Sequence, residues 1–321
     1  MRFGNITDVP GIKVGNVENH DALTGCTVIL TEEGAVCGVD VRGSAPGTRE
    51  TDLLDPINLI NEVHAICLAG GSAFGLDAAS GVMQFLEERE IGLDVGVAKV
   101  PIVPSAVLFD LPIGNPKIRP DKKMGYEAAQ QAATGSFPFG NIGAGCGATV
   151  GKITGFEHCM KGGLGSASME LDNGLIVGAL VAVNAVGDVR DPISREILAG
   201  PIHPETGELV DSLLYLQENL KGDVLPGANT TIGLVAVNAK LTKAEAKKVA
   251  QITQNALART IFPVHTMLDG DTIFALATGG ETYSVDLIGN MAAKVMEEAI
   301  VAAIKAAESV NGVPSYTSIQ K

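Results

Sequence analysis

Tryptophan is absent from this 321-residue chain, and aromatic side chains supply only 4% of it. A core with so few large rings must close by bringing backbones near one another, which suits the 39 glycines. Cysteines are few, odd in number and scattered, at Cys26, Cys37, Cys67, Cys146 and Cys159, with no C-x-x-C pair. That excludes a disulfide framework and fits reduced, buried thiols in a cytoplasmic protein. The histidines, His20, His64, His158, His203 and His265, lack ligand spacing, so neither a metal nor another cofactor is expected. Positive charge is scarce: 23 Lys and Arg stand against 37 Asp and Glu, a net charge of −14. This argues against nucleic acid and against anionic membranes as partners. No apolar run is long enough to span a bilayer, and Met1-Arg2-Phe3-Gly4-Asn5 carries no signal-peptide core.

Familiar nucleotide and hydrolase frames are also missing. The passage from Gly140 to Lys152 is rich in glycine, but no amphipathic helix follows it, which removes a dinucleotide fingerprint. Ile153 after Lys152 breaks the Walker A pattern. Gly70-Gly71-Ser72-Ala73-Phe74 ends in Phe where a nucleophile elbow needs Gly. What remains for these glycines is close packing and backbone N–H groups offered to a small substrate, with Gly145 and Gly70 as candidate contacts.

The most informative segment is Asn229-Thr230-Thr231 followed by Ile232-Gly233-Leu234-Val235-Ala236-Val237. A lead-in from Gly222 to Ala228 runs into an apolar strand, with threonine at the junction. A hydroxyl there can attack the preceding carbonyl, cut the chain, and leave an N-terminal threonine whose own α-amine serves as base. An ordinary β-branched strand start reads the same way locally. Two distant features favour the chemistry. Asp269-Gly270-Asp271 precedes a second apolar run, Thr272 to Thr278; residues two apart on a strand share a face, so the carboxylates should be coupled and one should titrate high. Asn184 ends a third apolar run, Gly178 to Val183, where its amide can serve a developing oxyanion or cap a turn.

Strands are predicted at 26–30, 35–41, 64–68 and 175–184, and helices at 74–88, 122–133 and 285–308. Thr242-Lys243-Ala244-Glu245 reads as a capping box opening a further helix that carries Val249, Ile252, Ala256 and Leu257 on one face. The tail after Asn311 is expected to be loose. Strands and helices without strict alternation indicate an α+β fold, and no composition break divides residues 1–321 into two domains.

Together these strings resemble the self-processing L-aminopeptidase/D-esterase (DmpA-like) family, which includes β-aminopeptidases and nylon-oligomer (6-aminohexanoate) hydrolases. Asp8 to Gly15, Arg42 to Glu50 and Ala69 to Gly75 also look like family signatures. The resemblance implies a four-layer αββα sandwich similar to N-terminal-nucleophile hydrolases, and one catalytic domain cleaved between Asn229 and Thr230 into 1–229 and 230–321. It makes Thr230 the nucleophile, Asp269 and Asp271 the carboxylate pair of the nylon-hydrolase branch, Asn184 the oxyanion amide and Lys152 a substrate-side lysine. The family's active-site tyrosine has no clear equivalent in this chain; the nearest aromatic, Phe109, carries no hydroxyl. The implied activity is hydrolysis of small peptides or amides, possessing no cofactor, by a homo-oligomer, a tetramer in the family. An acyltransferase of the ornithine-acetyltransferase kind, using the same threonine, is the alternative reading.

Overall fold

A computed structural model describes residues 4–218 and 229–319; the lead-in from Gly222 to Ala228 lies outside the described residues. Among the described residues, nine strands form one sheet. They are β1 (Lys13–Asn19), β2 (Thr24–Val41), β3 (Gly47–Arg49), β4 (Glu62–Ala69), β5 (Ser105–Val107), β6 (Gly163–Glu170), β7 (Ile176–Asn184), β8 (Thr230–Ala239) and β9 (Thr272–Glu281). The order is β6-β7-β8-β9-β2-β4-β5-β3, with β1 added along β2. Four helices cover the sheet: α1 (Ala78–Glu87), α2 (Lys122–Gln131), α3 (Lys243–Thr260) and α4 (Val285–Ala306).

Alternation of side chains resolves this sheet into layers. On β7, Val177, Ala179, Val181 and Val183 pack with Val249, Leu257, Ile288 and Ile300 of α3 and α4. Leu180 and Ala182, between them in sequence, pack instead with Ile66 and Leu68 of β4 and Ala106 of β5. On β4, Ala65 and Cys67 turn away from that interior towards Val82, Phe85 and Leu86 of α1. The two halves of the sheet therefore lie face to face, each roofed by a helix pair, which is a four-layer αββα sandwich. Strands in the middle are buried on both faces, and so they read as unbroken apolar runs.

β2 links the two halves. Its first part pairs with β1 and β4, and its last part, from Val36 to Val41, pairs with β9. The two strands expected at 26–30 and 35–41 are thus one, with an irregularity between Leu30 and Ala35 where Gly34 has φ +85°. The α1 region starts as a 3-10 turn, Ser72–Asp77, before becoming α-helical. The capping box at α3 is present: Glu245 Oε2 accepts from Thr242 N at 2.7 Å and Thr242 Oγ1 accepts from Glu245 N at 3.3 Å. The tail expected to be loose is docked. Pro314 O accepts from Lys161 N at 2.8 Å, Ser315 is buried, and Tyr316–Ile319 is helical. No helix among the described residues is long and apolar enough to cross a membrane.

Helices rest directly on strand backbone. An added Cβ on Gly38 of β2 would lie 2.1 Å from Lys247 N of α3, and one on Gly165 of β6 would lie 2.2 Å from Ala299 O of α4. Neither contact offers a flexible side-chain end that can swing away. Gly38→Ala should therefore cost about 1–3 kcal/mol, lowering Tm by about 2–4 °C for each kcal/mol in a domain of this size. Scanning calorimetry measures it, and an unchanged Tm would show that α3 is not seated on this glycine.

Candidate active site

The topology gathers three segments that are far apart in sequence. β8 and β9 run parallel, with Ile232 opposite Thr272, so both strands begin at the same end of the sheet. β7 runs antiparallel to β8, and its last residue, Asn184, lies opposite the first, Thr230. Immediately before the parallel ladder, Asn229 bridges Asp269, and Gly270 N donates to Asn229 O at 3.0 Å. Asn229 and Thr230 are both buried, and Thr230 Oγ1 donates to the carbonyl oxygen of Asn229. The hydroxyl thus sits against the peptide carbonyl that precedes it.

Asn184 is held by its acceptor side. Its Oδ1 accepts from Lys152 Nζ and Thr149 N, each at 2.9 Å, and Lys152 Nζ also donates to Asn184 O at 2.9 Å. With Oδ1 engaged, Nδ2 faces the other way and donates to Phe109 O at 3.1 Å; its second hydrogen meets no acceptor among the described residues. Lys152 is buried, which pushes its pKa down to about 7. Two of its three donors go to Asn184, so Lys152, expected on the substrate side, also holds the amide that ends β7. Phe109 enters the site through its carbonyl, a backbone role that a search for a hydroxylated ring misses.

The glycine-rich passage supports this amide from behind. Lys161 is fully buried, and its Nζ donates to Cys146 O at 2.9 Å and Ala148 O at 2.6 Å, the residues just before Thr149. Burial pushes Lys161 down to about 8. Asp110, next to Phe109, is pushed up to about 6 by burial; it accepts from Thr24 Oγ1 and Gly71 N, both at 2.7 Å. Neither residue belonged to the predicted site. A lysine inside a glycine and apolar string was the available signal for Lys161. Gly145 and Gly70 are placed differently from expectation. Their N–H groups donate to Ile142 O and Gly25 O, and an added Cβ would strike Leu164 N or Asp110 Oδ2. Both serve close packing and offer no amide to a substrate. Cys146 is a buried free thiol pushed up to about 12, as suits a structural cysteine.

The two aspartates are both buried and differently held. Asp271 accepts from Thr231 N at 2.7 Å through Oδ1; its Oδ2 receives His265 N at 3.2 Å and lies 2.9 Å from His265 Nδ1. Asp269 accepts from Thr266 N at 2.8 Å and Thr266 Oγ1 at 2.6 Å. Burial pushes Asp269 up to about 6, and the charge of Asp271 adds to the rise. Their main-chain carbonyls are clamped from outside: Ala45 N donates to Asp269 O at 2.8 Å and Arg42 N to Asp271 O at 2.9 Å. The string from Arg42 to Glu50, conspicuous in the sequence, is here a brace for the Asp-Gly-Asp turn. His265 joins the site on a backbone of φ +55°. Its proximity to the pair in sequence was visible; its two contacts with Asp271 were not.

An acid whose pKa is raised on folding opposes folding when ionised. For Asp269 this penalty is absent below its ordinary value of 3.8, grows as pH rises towards about 6, and is complete above that. Asp269→Asn retains an acceptor for Thr266 but cannot ionise. Compared on a Thr230→Ala background, its Tm gain should be small near pH 4 and larger at about pH 7.5. Calorimetry at both pH values checks this; an equal difference at both would show that Asp269 carries no raised pKa.

Comparison with known proteins gives this geometry its family. Residues 4–318 match Peptidase family S58. An uncharacterized aminopeptidase of Mycobacterium leprae (strain TN) is 42% identical, with 98% of this chain and 93% of that protein covered. A 6-aminohexanoate-oligomer endohydrolase of Kocuria sp. (strain KY2) is 32% identical over 93% of this chain and 85% of its own. Among solved structures, the L-aminopeptidase D-Ala-esterase/amidase of Ochrobactrum anthropi, described as a variant of the Ntn hydrolase fold, superposes with a TM-score of 0.72 at 18% identity, covering 99% of this chain and 92% of that one. A Burkholderia sp. beta-aminopeptidase gives 0.71 at 23% identity, covering 98% and 90%. These two likenesses speak for the αββα fold. The family match, spanning nearly every described residue, and the mycobacterial relative speak for more: the chain belongs to peptidase family S58 and is a hydrolase of peptide or amide bonds.

Proposed function

We propose that this protein is a self-processing N-terminal-threonine amide hydrolase. The observation that carries the reading is the contact of Thr230 Oγ1 with the carbonyl of Asn229, on a strand whose next residue, Thr231, is bound by the buried Asp271. In maturation, Thr230 Oγ attacks the Asn229 carbonyl carbon and Asp269 takes its proton. The C–N bond breaks, the nitrogen takes the proton held by Asp269 and leaves as an amine, and water opens the resulting ester. The single catalytic domain then consists of 1–229 and 230–321. In turnover the new α-amine, with a reference pKa of about 7.7–8.0, removes the proton from Thr230 Oγ. The hydroxyl oxygen attacks the substrate carbonyl, and the second hydrogen of Asn184 Nδ2 supports the oxyanion. The ammonium returns its proton to the leaving amine, and water releases the acid by the same route. Asp271, bound to Thr231 N, fixes the strand that bears the nucleophile.

The substrates proposed are small amides bearing a free amine: N-terminal residues of short peptides, D- or β-amino derivatives, and aminohexanoate-type oligomers. The 32% identity to an aminohexanoate-oligomer endohydrolase and the 42% identity to an aminopeptidase support this range. The acidic balance of the chain suits an ammonium-bearing substrate.

Mass spectrometry of purified protein should show fragments 1–229 and 230–321, the second beginning Thr-Thr-Ile-Gly. Thr230→Ala should stay in one piece, and Thr230→Ser should still cleave. A start at Thr231, or an intact chain after prolonged incubation, refutes self-processing. On aminoacyl-p-nitroanilides and linear aminohexanoate oligomers, processed Asn184→Ala should lose about 10²–10³-fold in kcat. Unchanged kcat in that variant would remove Asn184 from the reaction.

A further inference from the structure

The carbonyl oxygen of Asn229 has a donor aligned on it. It accepts from Gly270 N at 3.0 Å, across the start of the parallel pairing between β8 and β9. Asn184 lies on the opposite neighbour of β8, and its Nδ2 donates to Phe109 O. We propose that the Gly270 backbone N–H is the oxyanion donor for chain cleavage, a role separate from that of Asn184 in substrate hydrolysis. The inference rests on the self-processing reading given above.

The chemistry requires a donor at this atom. When Thr230 Oγ bonds to the Asn229 carbon, the carbonyl π pair moves onto the Asn229 oxygen, and the proton of Oγ passes to Asp269. The tetrahedral species collapses by breaking the bond to Thr230 N, which takes the proton from Asp269 as the ester forms. Charge develops and vanishes on Asn229 O, and donors within about 2.7–3.1 Å of a developing oxyanion are the ones that stabilise it. The Gly270 amide already stands in that range. It is also held in place: the carbonyls on either side, Asp269 O and Asp271 O, are bound by Ala45 N at 2.8 Å and Arg42 N at 2.9 Å. A peptide fixed by its neighbours does not have to reorganise as charge appears.

Glycine is required at this position by space. A Cβ on Gly270 would lie 2.8 Å from Thr230 Oγ1 and 2.8 Å from Ala45 O. A side chain there would press on the nucleophile or on the brace, and either displacement would move the amide off the scissile carbonyl. Sequence inspection treats this glycine as a spacer between two carboxylates. The structure gives it a reacting atom as its partner.

The test removes the hydrogen without adding bulk. Full-length chain is made by cell-free synthesis with glycolic acid in place of Gly270 at a reassigned codon, so that an ester oxygen replaces N–H. Appearance of 230–321 is followed by mass spectrometry beside the same chain carrying glycine. The glycolate chain should cleave about 10²–10³-fold more slowly. Equal rates in the two chains overturn the donor while leaving self-processing intact. A glycine chain that does not cleave at 229/230 overturns self-processing and the donor with it. A second measurement does not depend on the folding of the glycolate chain. Amide hydrogen exchange at Gly270 should be at least about tenfold slower in uncleaved Thr230→Ala than in processed wild type, because cleavage unties the Asn229 carboxylate from Thr230 and so releases the acceptor from the Gly270 amide. Equal exchange in both also overturns the assignment.

Discussion

The parallel pairing of β8 with β9 is the constraint on which the site depends. In an antiparallel hairpin the start of one strand meets the end of the next. Here α3 carries the chain back over the sheet, so Thr230, at the start of β8, and Asp271, just before β9, meet at one end. The antiparallel pairing of β7 with β8 then delivers the end of β7, and with it Asn184, to the same place. Reversing either relation would separate the hydroxyl from the carboxylates or from the amide. The seat of α3 on Gly38 of β2 belongs to the same arrangement, since the crossover helix closes over the sheet only where a strand exposes bare backbone.

Burial is the second common element. Lys152, Lys161, Asp110, Asp269 and Asp271 are all buried, and a buried charge is costly unless hydrogen bonds replace its water. The partners supplied are largely main-chain atoms: Asn184 O for Lys152, Cys146 O and Ala148 O for Lys161, Gly71 N for Asp110, Thr266 N for Asp269 and Thr231 N for Asp271. Desolvation moves the lysines down to about 7 and 8 and moves Asp110 and Asp269 up to about 6. Acids and bases are thereby drawn towards neutrality from opposite sides, where proton exchange between groups is easiest. Not all of these groups face the reaction. Lys161 and Asp110 act on the loop and strand ends that carry Thr149 and Phe109, and through them on Asn184.

Much of the fold was legible because burial leaves a pattern. The runs at 178–183, 232–237 and 273–277 are apolar at every position since both faces of β7, β8 and β9 are covered. The capping box at Thr242 was legible because its side chains bond locally. Less visible were features made of backbone alone. Nothing in the residues near Gly34 says that one strand continues through it, and the docking of the tail rests on Pro314 O, an atom every residue possesses. Thr230, Asn184, Asp269 and Asp271 were singled out by their positions at the ends of apolar runs, and the structure brings their segments together. The contacts by which Lys152 supports Asn184, and those by which Arg42 and Ala45 brace the aspartates, needed coordinates.

Sparse aromatics and a main-chain-rich site have one physical origin. A core that closes on glycine and alanine brings helices and turns within touching distance of strand backbone, as Gly38 and Gly165 show. At such distances main-chain N–H and C=O groups become the nearest polar neighbours of any buried side chain. The same closeness lets the turn at Gly270 lie against Asn229 and Thr230 with no side chain between them. Larger residues would fill the interior equally well by volume, but they would hold these amides away from the groups they now serve. The composition that first reads as an absence of rings is therefore also what brings backbone against the buried polar groups of the site.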